Sequence, residues 1–99
     1  MIHLVVTMQI KPGCRQAFLD LFNRNRPNVL AEEGCIQYQL CTDLAGGPLA
    51  PDPDCFTLLE QWTSEAHLQA HLASAHMKAF AREAAPLRAA STLRKLQPC

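Results

Sequence analysis

The spacing of the apolar residues changes from every second position to a helical repeat and back, twice along this chain of 99 residues. Apolar side chains alternate with other residues over positions 2–10, which predicts a strand with one strongly apolar face. Positions 35–43 and 55–62 show the same alternation, and positions 90–97 form a weaker fourth run. The apolar face of the first strand is made of Ile2, Leu4, Val6, Met8 and Ile10.

Residues 14–33 have the spacing of an amphipathic helix, in which one stripe of side chains faces the core. Pro27 lies inside this stripe and is expected to kink the helix or split it near Arg26, because proline lacks the amide hydrogen that a helix uses. Gly34 is expected at the C′ position that ends the helix. The stripe comprises Phe18, Leu21, Phe22, Asn25, Val29 and Leu30.

A second helical region follows the third strand. Ser64 is a suitable N-cap for it, and Ser74 is placed to cap a second helical piece. Leu68 and Leu72 are expected on the core side of the first piece, because residues four apart share one helix face. The second piece has a stripe of Met77, Phe80, Ala81 and Ala84.

The predicted order is strand, helix, two strands, helix in two pieces, and strand, within a single domain over residues 1–99. This order favours the α+β class, with a four-stranded antiparallel sheet covered by helices on one side. The third strand carries apolar residues on both faces, so the helix-free face of the sheet is also half apolar. We therefore expect a homodimer in which two sheets pack together, with a cavity enclosed between sheet and helices.

Charge and composition argue against several classes of partner. Lys and Arg number 9, as do Asp and Glu, and no basic arm is present, so nucleic acid is not expected as a partner. The apolar runs are much shorter than the ~20 residues that span a bilayer, and the first residues lack the features of a secretory signal. We therefore expect no membrane association. An odd number of cysteines without a Cys-x-x-Cys pair indicates reduced thiols in a cytoplasmic protein.

Most of the candidate acid–base groups lie where the third strand meets the second helical region. The strand carries Glu60 on an otherwise apolar face and ends in Trp62, the only tryptophan. Three imidazoles follow, those of His67, His71 and His76. His67 and His71 have a spacing that can bind metal, but no third ligand has a diagnostic position, so no metal site is expected.

Three short patterns carry a resemblance to a known family. They are Glu33-Gly34-Cys35-Ile36-x-Tyr38, Phe56-x-Leu58-x-Glu60-x-Trp62, and His71 followed by Ser74-Ala75-His76. Together with the opening strand, they resemble the antibiotic biosynthesis monooxygenase family of small dimeric proteins. The resemblance implies a ferredoxin-like βαββαβ fold that pairs sheet to sheet as a dimeric α/β barrel. It also implies oxidation of quinols or polyphenols by dioxygen, with no metal or flavin cofactor.

Oxygenation without a cofactor makes the substrate supply the electrons, and a phenol does so far more readily after losing its proton. The site then needs a base near neutral pH, an apolar slot and a polar contact to the phenol oxygen. His71 matches the family's motif histidine and is the candidate base, with a structural histidine as the alternative. Glu60 either orients His71 or makes a structural bond to a histidine or arginine, because a buried carboxylate must be paired or protonated.

The other candidate residues surround this pair. Trp62 is a candidate wall that stacks on a planar substrate, with core packing as the alternative. Tyr38 and His76 are candidate substrate contacts, and the alternatives are a packed tyrosine and a solvated histidine. The apolar candidates for substrate binding are Phe56, Leu58, Met77 and Phe80. Polar residues of the first strand either line the cavity or mediate hydrated contacts between two sheets: His3, Thr7 and Gln9.

The leading hypothesis is a cofactor-independent monooxygenase that oxidises a quinol or a small polyphenol. One alternative is a non-catalytic dimer that binds a small hydrophobic molecule or acts as a stress-related protein. Others are an isomerase that uses the same base without oxygen, and a haem-degrading enzyme. Haem-degrading relatives resemble one another in an asparagine on the first strand, where this chain has Thr7 and Gln9, which counts against haem.

Overall fold

The computed structural model describes every residue from Met1 to Cys99. In chain order its elements are β1 (Ile2–Ile10), α1 (Arg15–Leu30), β2 (Cys35–Thr42), β3 (Cys55–Trp62), α2 (Glu65–Ala73), α3 (Ala75–Ala84), a short 3₁₀ helix (Ala85–Leu87) and β4 (Arg88–Leu96). The strands form one antiparallel sheet in the order β2-β3-β1-β4. The predicted ferredoxin-like α+β fold is therefore confirmed.

The helices pack on the sheet face formed by the even-numbered residues of β1 and β3. On β3 every residue of this face is buried, whereas the odd-numbered residues are only half-buried. Phe18 of α1 stacks on Phe56 with ring centroids 5.4 Å apart, and Phe22 stacks on Tyr38 of β2 at 5.4 Å. Leu68 of α2 joins the same core. The alternation predicted for β1 and β3 is confirmed.

The first helix ends earlier than predicted and is not split at Pro27. It runs through Pro27 as one helix, and the carbonyl of Pro27 accepts a hydrogen bond from the Ala31 amide at 3.1 Å. Proline has no N–H to donate to the carbonyl of Asn23, one turn earlier. Both residues are exposed, so water can bond to that carbonyl instead. Leu30 was expected in the core stripe but is 54% exposed at the helix end.

Gly34 does not end α1 but lies in the turn before β2, with a φ of 83°. Its carbonyl accepts a hydrogen bond of 2.9 Å from the Thr63 amide, which fixes the turn beside the start of α2. A Cβ atom added to Gly34 would overlap the His67 ring. Glycine is thus required both by the left-handed backbone and by the close approach of His67.

Replacing Gly34 with alanine is expected to destabilise the protein more than the same change at Gly13. Both glycines have a φ of 83°, so both variants carry a backbone cost of roughly 1 kcal/mol. Only at Gly34 must the His67 ring also move, because nothing lies within 4 Å of a Cβ at Gly13. Urea unfolding of Gly34→Ala and Gly13→Ala in parallel measures the difference. Equal losses of stability would contradict the close contact.

Ile36 shares the alternation of β2 with Tyr38 and Leu40, and Leu72 was expected on the core side of α2, yet both are exposed. Ile36 is 48% exposed because the pairing of β2 with β3 shifts register beside it, which turns its side chain outward. Leu72 is 46% exposed because α2 buries Leu68 and His71 on its inner face instead. The core face of α2 therefore contains His71, where the helical spacing had favoured the next residue, Leu72.

Ser64 and Ser74 cap α2 and α3 as predicted. The Oγ of Ser64 accepts from the His67 amide at 3.2 Å, and the Oγ of Ser74 accepts from the Met77 amide at 3.4 Å. The Ser74 hydroxyl also donates to the carbonyl of His71 at 2.7 Å. Ser74 therefore holds the end of α2 and the start of α3 together.

All five cysteines are free, as their number and spacing predicted. Burial, together with nearby carboxylates, raises the pKa of the Cys35 and Cys55 thiols above the ordinary value, so both stay protonated near neutral pH. None of the helices combines the length and the apolar character needed to cross a membrane.

Candidate active site

An apolar cavity of about 180 Å³ lies between the helices and the sheet, next to β1 and β4. Its walls are mainly aliphatic and aromatic with a few polar groups, which is the usual composition of a small-molecule site. Leu72 and Leu93 border it and are 46% and 54% exposed, so the cavity opens to solvent beside them. The lining residues are Leu4, Val6, Met8, Phe22, Tyr38, Leu58, Glu60, His71, Leu72, Met77, Phe80, Ala81, Arg88, Ser91 and Leu93.

His71 borders this cavity from the inner face of α2 and is only 2% exposed. Its ring packs on Trp62 with centroids 4.5 Å apart, and it meets Tyr38 edge-on at 5.8 Å. Its Nδ1 lies 2.7 Å from a carboxylate oxygen of Glu32. Because a carboxylate only accepts, Nδ1 carries the hydrogen and Nε2 keeps its lone pair.

Burial lowers the pKa of His71 below the ordinary value for histidine, since a charged ring would lose its hydration there. The hydrogen bond to Glu32 and the negative charge of Glu32 raise the pKa and so oppose this effect, while the nearby His76 adds to the lowering. The net shift keeps the ring neutral near pH 7. A neutral ring with an unprotonated Nε2 is what a general base requires.

Glu60 is the second acid–base group of the cavity and is 5% exposed. Its Oε1 accepts the indole N–H of Trp62 at 3.0 Å and lies 3.9 Å from Nε2 of His71, too far for a direct hydrogen bond. Burial raises the pKa of Glu60 to about 7, and the charge of Glu32 adds to this, although the bond from Trp62 lowers it. Glu60 therefore gains and loses a proton near neutral pH.

The carboxylate bonded to Nδ1 of His71 is that of Glu32, whereas Glu60, for which orienting His71 was one of two readings, bonds to the Trp62 indole instead. Glu32 lies in the turn after α1 and bridges two imidazoles, with 2.7 Å to Nδ1 of His71 and 2.5 Å to Nε2 of His76. No local pattern marks Glu32, because 39 residues separate it from His71. The neighbouring Glu33, which the family pattern highlighted, has a side chain that is 92% exposed.

Three predicted site residues do not border the cavity. Trp62 is 0% exposed and packs on His71, so the expectation that it walls the cavity is corrected in favour of core packing. Phe56 is buried because Phe18 stacks on it. His76 bonds to Glu32 instead of facing a substrate, because the start of α3 brings it to the other carboxylate oxygen.

The other predicted substrate contacts do lie on the cavity: Tyr38, Leu58, Met77 and Phe80. Burial, with the charge of Glu60 as the next cause, raises the pKa of Tyr38 well above its ordinary value, so its hydroxyl stays protonated and can donate a hydrogen bond. The predicted polar lining from β1 is absent from this cavity, because alternation turns these side chains to the helix-free face: His3, Thr7 and Gln9.

Two polar lining residues, Arg88 and Ser91, were not anticipated. Arg88 opens β4 two residues before the predicted start of that strand, and Ser91 pairs with Met8 of β1. Ser91 and Leu93 share the helix-side face because they are two residues apart. The mixed polarity of this strand offered no alternation from which to assign that face.

The wild-type protein is expected to lose stability as the pH rises through 7, and replacing Glu60 with glutamine should remove most of this loss. The folded protein holds the Glu60 proton more tightly than the unfolded chain, with a pKa of about 7 against 4.5. The contribution of Glu60 protonation to the free energy of unfolding is therefore complete below pH 4.5 and is lost as pH rises through 7. The total loss is about 3 kcal/mol. Urea unfolding at acidic and alkaline pH should show the wild type losing this much relative to Glu60→Gln. Parallel pH profiles would contradict the raised pKa.

A buried imidazole and a carboxyl group on one apolar cavity of a ferredoxin-like domain define a class of small α+β proteins with an acid–base site. The sequence model of a family described as antibiotic biosynthesis monooxygenase matches residues 1–83. The chain belongs to this family.

Two further comparisons agree with this assignment. The chain is 43% identical over 84 residues to the "Probable quinol monooxygenase YgiN" of Escherichia coli (strain K12), with 81% of each protein covered. Its fold is similar to that of a conserved protein from Methanosarcina mazei Go1, at 27% identity, a TM-score of 0.89 and coverage of 99% and 92% of the two chains. The protein PA3566 of Pseudomonas aeruginosa is similar at 26% identity, a TM-score of 0.85 and coverage of 99% and 93%.

Proposed function

We propose that this protein is a cofactor-independent monooxygenase that oxidises a quinol or a small polyphenol with dioxygen. The observation that carries the proposal is the state of His71. Its Nδ1 is bonded to Glu32, its ring is buried and neutral, and it borders an apolar cavity on the side where Glu60 also lies. The family assignment and the relative named as a quinol monooxygenase support the same chemistry.

The proposed reaction starts when Nε2 of His71 takes a proton from a quinol hydroxyl. The resulting anion donates electrons to dioxygen, which becomes attached to a ring carbon. Loss of water then leaves one oxygen atom on the ring, so quinol and dioxygen give a hydroxylated quinone and water. The substrate supplies all the electrons, and no external reductant is needed.

Each neighbouring group has a separate proposed role. Glu32 holds the His71 ring through a bond of 2.7 Å between Nδ1 and a carboxylate oxygen. Its negative charge at this distance stabilises the imidazolium that forms when Nε2 takes the substrate proton. The protonated Tyr38 hydroxyl is placed to donate to a substrate oxygen. Glu60, with a pKa of about 7, is placed to deliver the proton needed when water leaves.

The size of the cavity restricts the substrate. An apolar cavity of roughly 150 Å³ accepts benzene in a well-studied case, and the cavity here measures about 180 Å³. One aromatic ring therefore fits the enclosed part. A second fused ring or a side chain would extend past Leu72 and Leu93 toward solvent. We propose that single-ring quinols and menadiol-sized quinols are the best candidates.

The test is aerobic turnover of methylhydroquinone and menadiol, with oxygen uptake and product mass measured together. Monooxygenation consumes one dioxygen per quinol and leaves an added oxygen on the product, whereas autoxidation releases hydrogen peroxide and leaves the ring unhydroxylated. Rates that are equal with and without protein would refute the proposal. Conversion of a substrate under anaerobic conditions would instead favour an isomerase that uses the same His71 and Glu60 pair.

We also propose that the protein works as a homodimer in the cytoplasm, with the helix-free sheet faces of two copies in contact. The support is that apolar residues on this face, Val5 and Leu59, are only half-buried in the single chain. Sedimentation equilibrium measures the mass directly. A monomer at micromolar concentration would refute the dimer and leave the cavity chemistry to be tested by itself.

A further inference from the structure

Glu32, His71 and His76 form a second constellation on the side of His71 that faces away from Glu60. One ligand atom from each of the three residues can be chosen so that all lie within 4.8 Å of one another. The three side chains come from different places, namely the turn after α1, the inner face of α2 and the first turn of α3. The proposed reaction uses only the Glu32–His71 half of this cluster, so it leaves His76 without a role.

We propose that Glu32, His71 and His76 bind a divalent transition-metal ion of the zinc class. The ligand atoms are Nδ1 of His71, Nε2 of His76 and one carboxylate oxygen of Glu32, with water at the remaining position. Two imidazoles and one carboxylate are a donor set of open zinc sites. Magnesium and calcium prefer sites made of oxygen ligands, so neither ion suits this cluster.

The present contacts show where the ion fits. Two hydrogens now lie between Glu32 and the imidazoles, in bonds of 2.7 Å and 2.5 Å. Ligand atoms around a tetrahedral zinc ion are about 3.4 Å apart, given bonds of about 2.1 Å. These two bonds end on different oxygens of Glu32, and one atom from each of the three residues can be chosen so that all lie within 4.8 Å of one another. The ion therefore takes the place of the hydrogens, and the separation of each pair of ligand atoms changes by at most about 1.4 Å.

The exposure of the three side chains provides both a fixed ligand and an entry path. His71 is held by the core, with a side chain that is 2% exposed, whereas the side chains of His76 and Glu32 are 28% and 15% exposed. The outer two can shift to admit an ion from solvent. Ser74 lies beside them, with its Oγ 3.3 Å from Nε2 of His76 and bonded to the carbonyl of His71. Through these two contacts Ser74 is placed to orient both histidine ligands.

Metal binding would have a consequence for the proposed reaction, and this step rests on that function. An ion on Nδ1 moves the imidazole hydrogen to Nε2, the nitrogen that must accept the substrate proton. The loaded protein then lacks its base. Zinc is therefore an inhibitor of turnover in this scheme, and chelation restores activity.

The binding test does not depend on activity. The reduced protein is titrated with Zn²⁺ by calorimetry and with Co²⁺ by absorbance, which separates imidazole and carboxylate ligands from thiolates through the thiolate charge-transfer band. One ion per chain without that band is the expected result. His76→Gln and Glu32→Gln should each weaken binding at least tenfold, and a thermal melt of each variant shows whether it is folded.

His67→Gln is the matched control, because His67 also lies beside a glutamate, 3.9 Å from Glu33, but has no second imidazole there. Its metal affinity should equal that of the wild type. No binding at millimolar Zn²⁺, a thiolate band with Co²⁺, or unchanged binding in folded His76→Gln would overturn the inference. If metal binds as expected but quinols are not oxidised, the metal site stands and the proposed function fails.

Discussion

The His71→Gln variant should lose roughly 10²- to 10⁴-fold in kcat for quinol oxidation, with a much smaller change in KM. Glutamine can still donate to Glu32 but has no basic nitrogen to take the substrate proton. The cavity walls are otherwise unchanged, so substrate binding should persist. The measurement is oxygen uptake against quinol concentration, corrected for autoxidation in buffer alone.

Two observations separate loss of the base from damage to the fold. His67→Gln changes the same residue type one turn earlier on α2, where the side chain is 34% exposed, and should keep full activity. The rate of His71→Gln should rise with pH, because the quinol then ionises in solution and needs no base. A variant that keeps wild-type kcat at neutral pH would show that His71 is not the base.

The sequence was sufficient to place the strand that carries the site. On β3, alternation alone put Phe56, Leu58, Glu60 and Trp62 on one face, and all four are buried there. This prediction succeeded because a strand has only two faces, and its local geometry decides which residues share one. The caps at Ser64 and Ser74 were predictable for the same reason, since they depend only on the next few residues.

The partner of His71 was not predictable from the same kind of pattern. Whether a histidine can be buried depends on a hydrogen-bond partner, and here that partner comes from the turn after α1. Hydrophobic spacing on α2 favoured Leu68 with Leu72, whereas the fold buries Leu68 with His71. Only the packing of α1 against α3, with Glu32 just beyond the end of α1, brings the carboxylate to both imidazoles. The polar interior was therefore decided by tertiary contacts.

Trp62→Ala is expected to lower the free energy of unfolding by about 3–5 kcal/mol, a large share of the roughly 5–15 kcal/mol that stabilises a typical domain. Trp62 is 0% exposed and is among the largest fully buried side chains, so its removal leaves a cavity in contact with His71. It also removes the hydrogen bond to Glu60, whose carboxylate is 5% exposed. Urea unfolding at equal protein concentration measures the loss.

The Trp62→Phe variant separates the contribution of the buried ring from that of the hydrogen bond to Glu60. Phenylalanine keeps much of the buried ring but has no N–H, so its cost should be smaller than that of alanine. Because the indole bond lowers the pKa of Glu60, losing it should raise that pKa further above 7 and move the pH dependence of stability to higher pH. An unchanged pH profile in Trp62→Phe would mean that burial and the charge of Glu32 set the pKa of Glu60 without the indole bond. Trp62 would then act on the site only as the surface against which His71 packs.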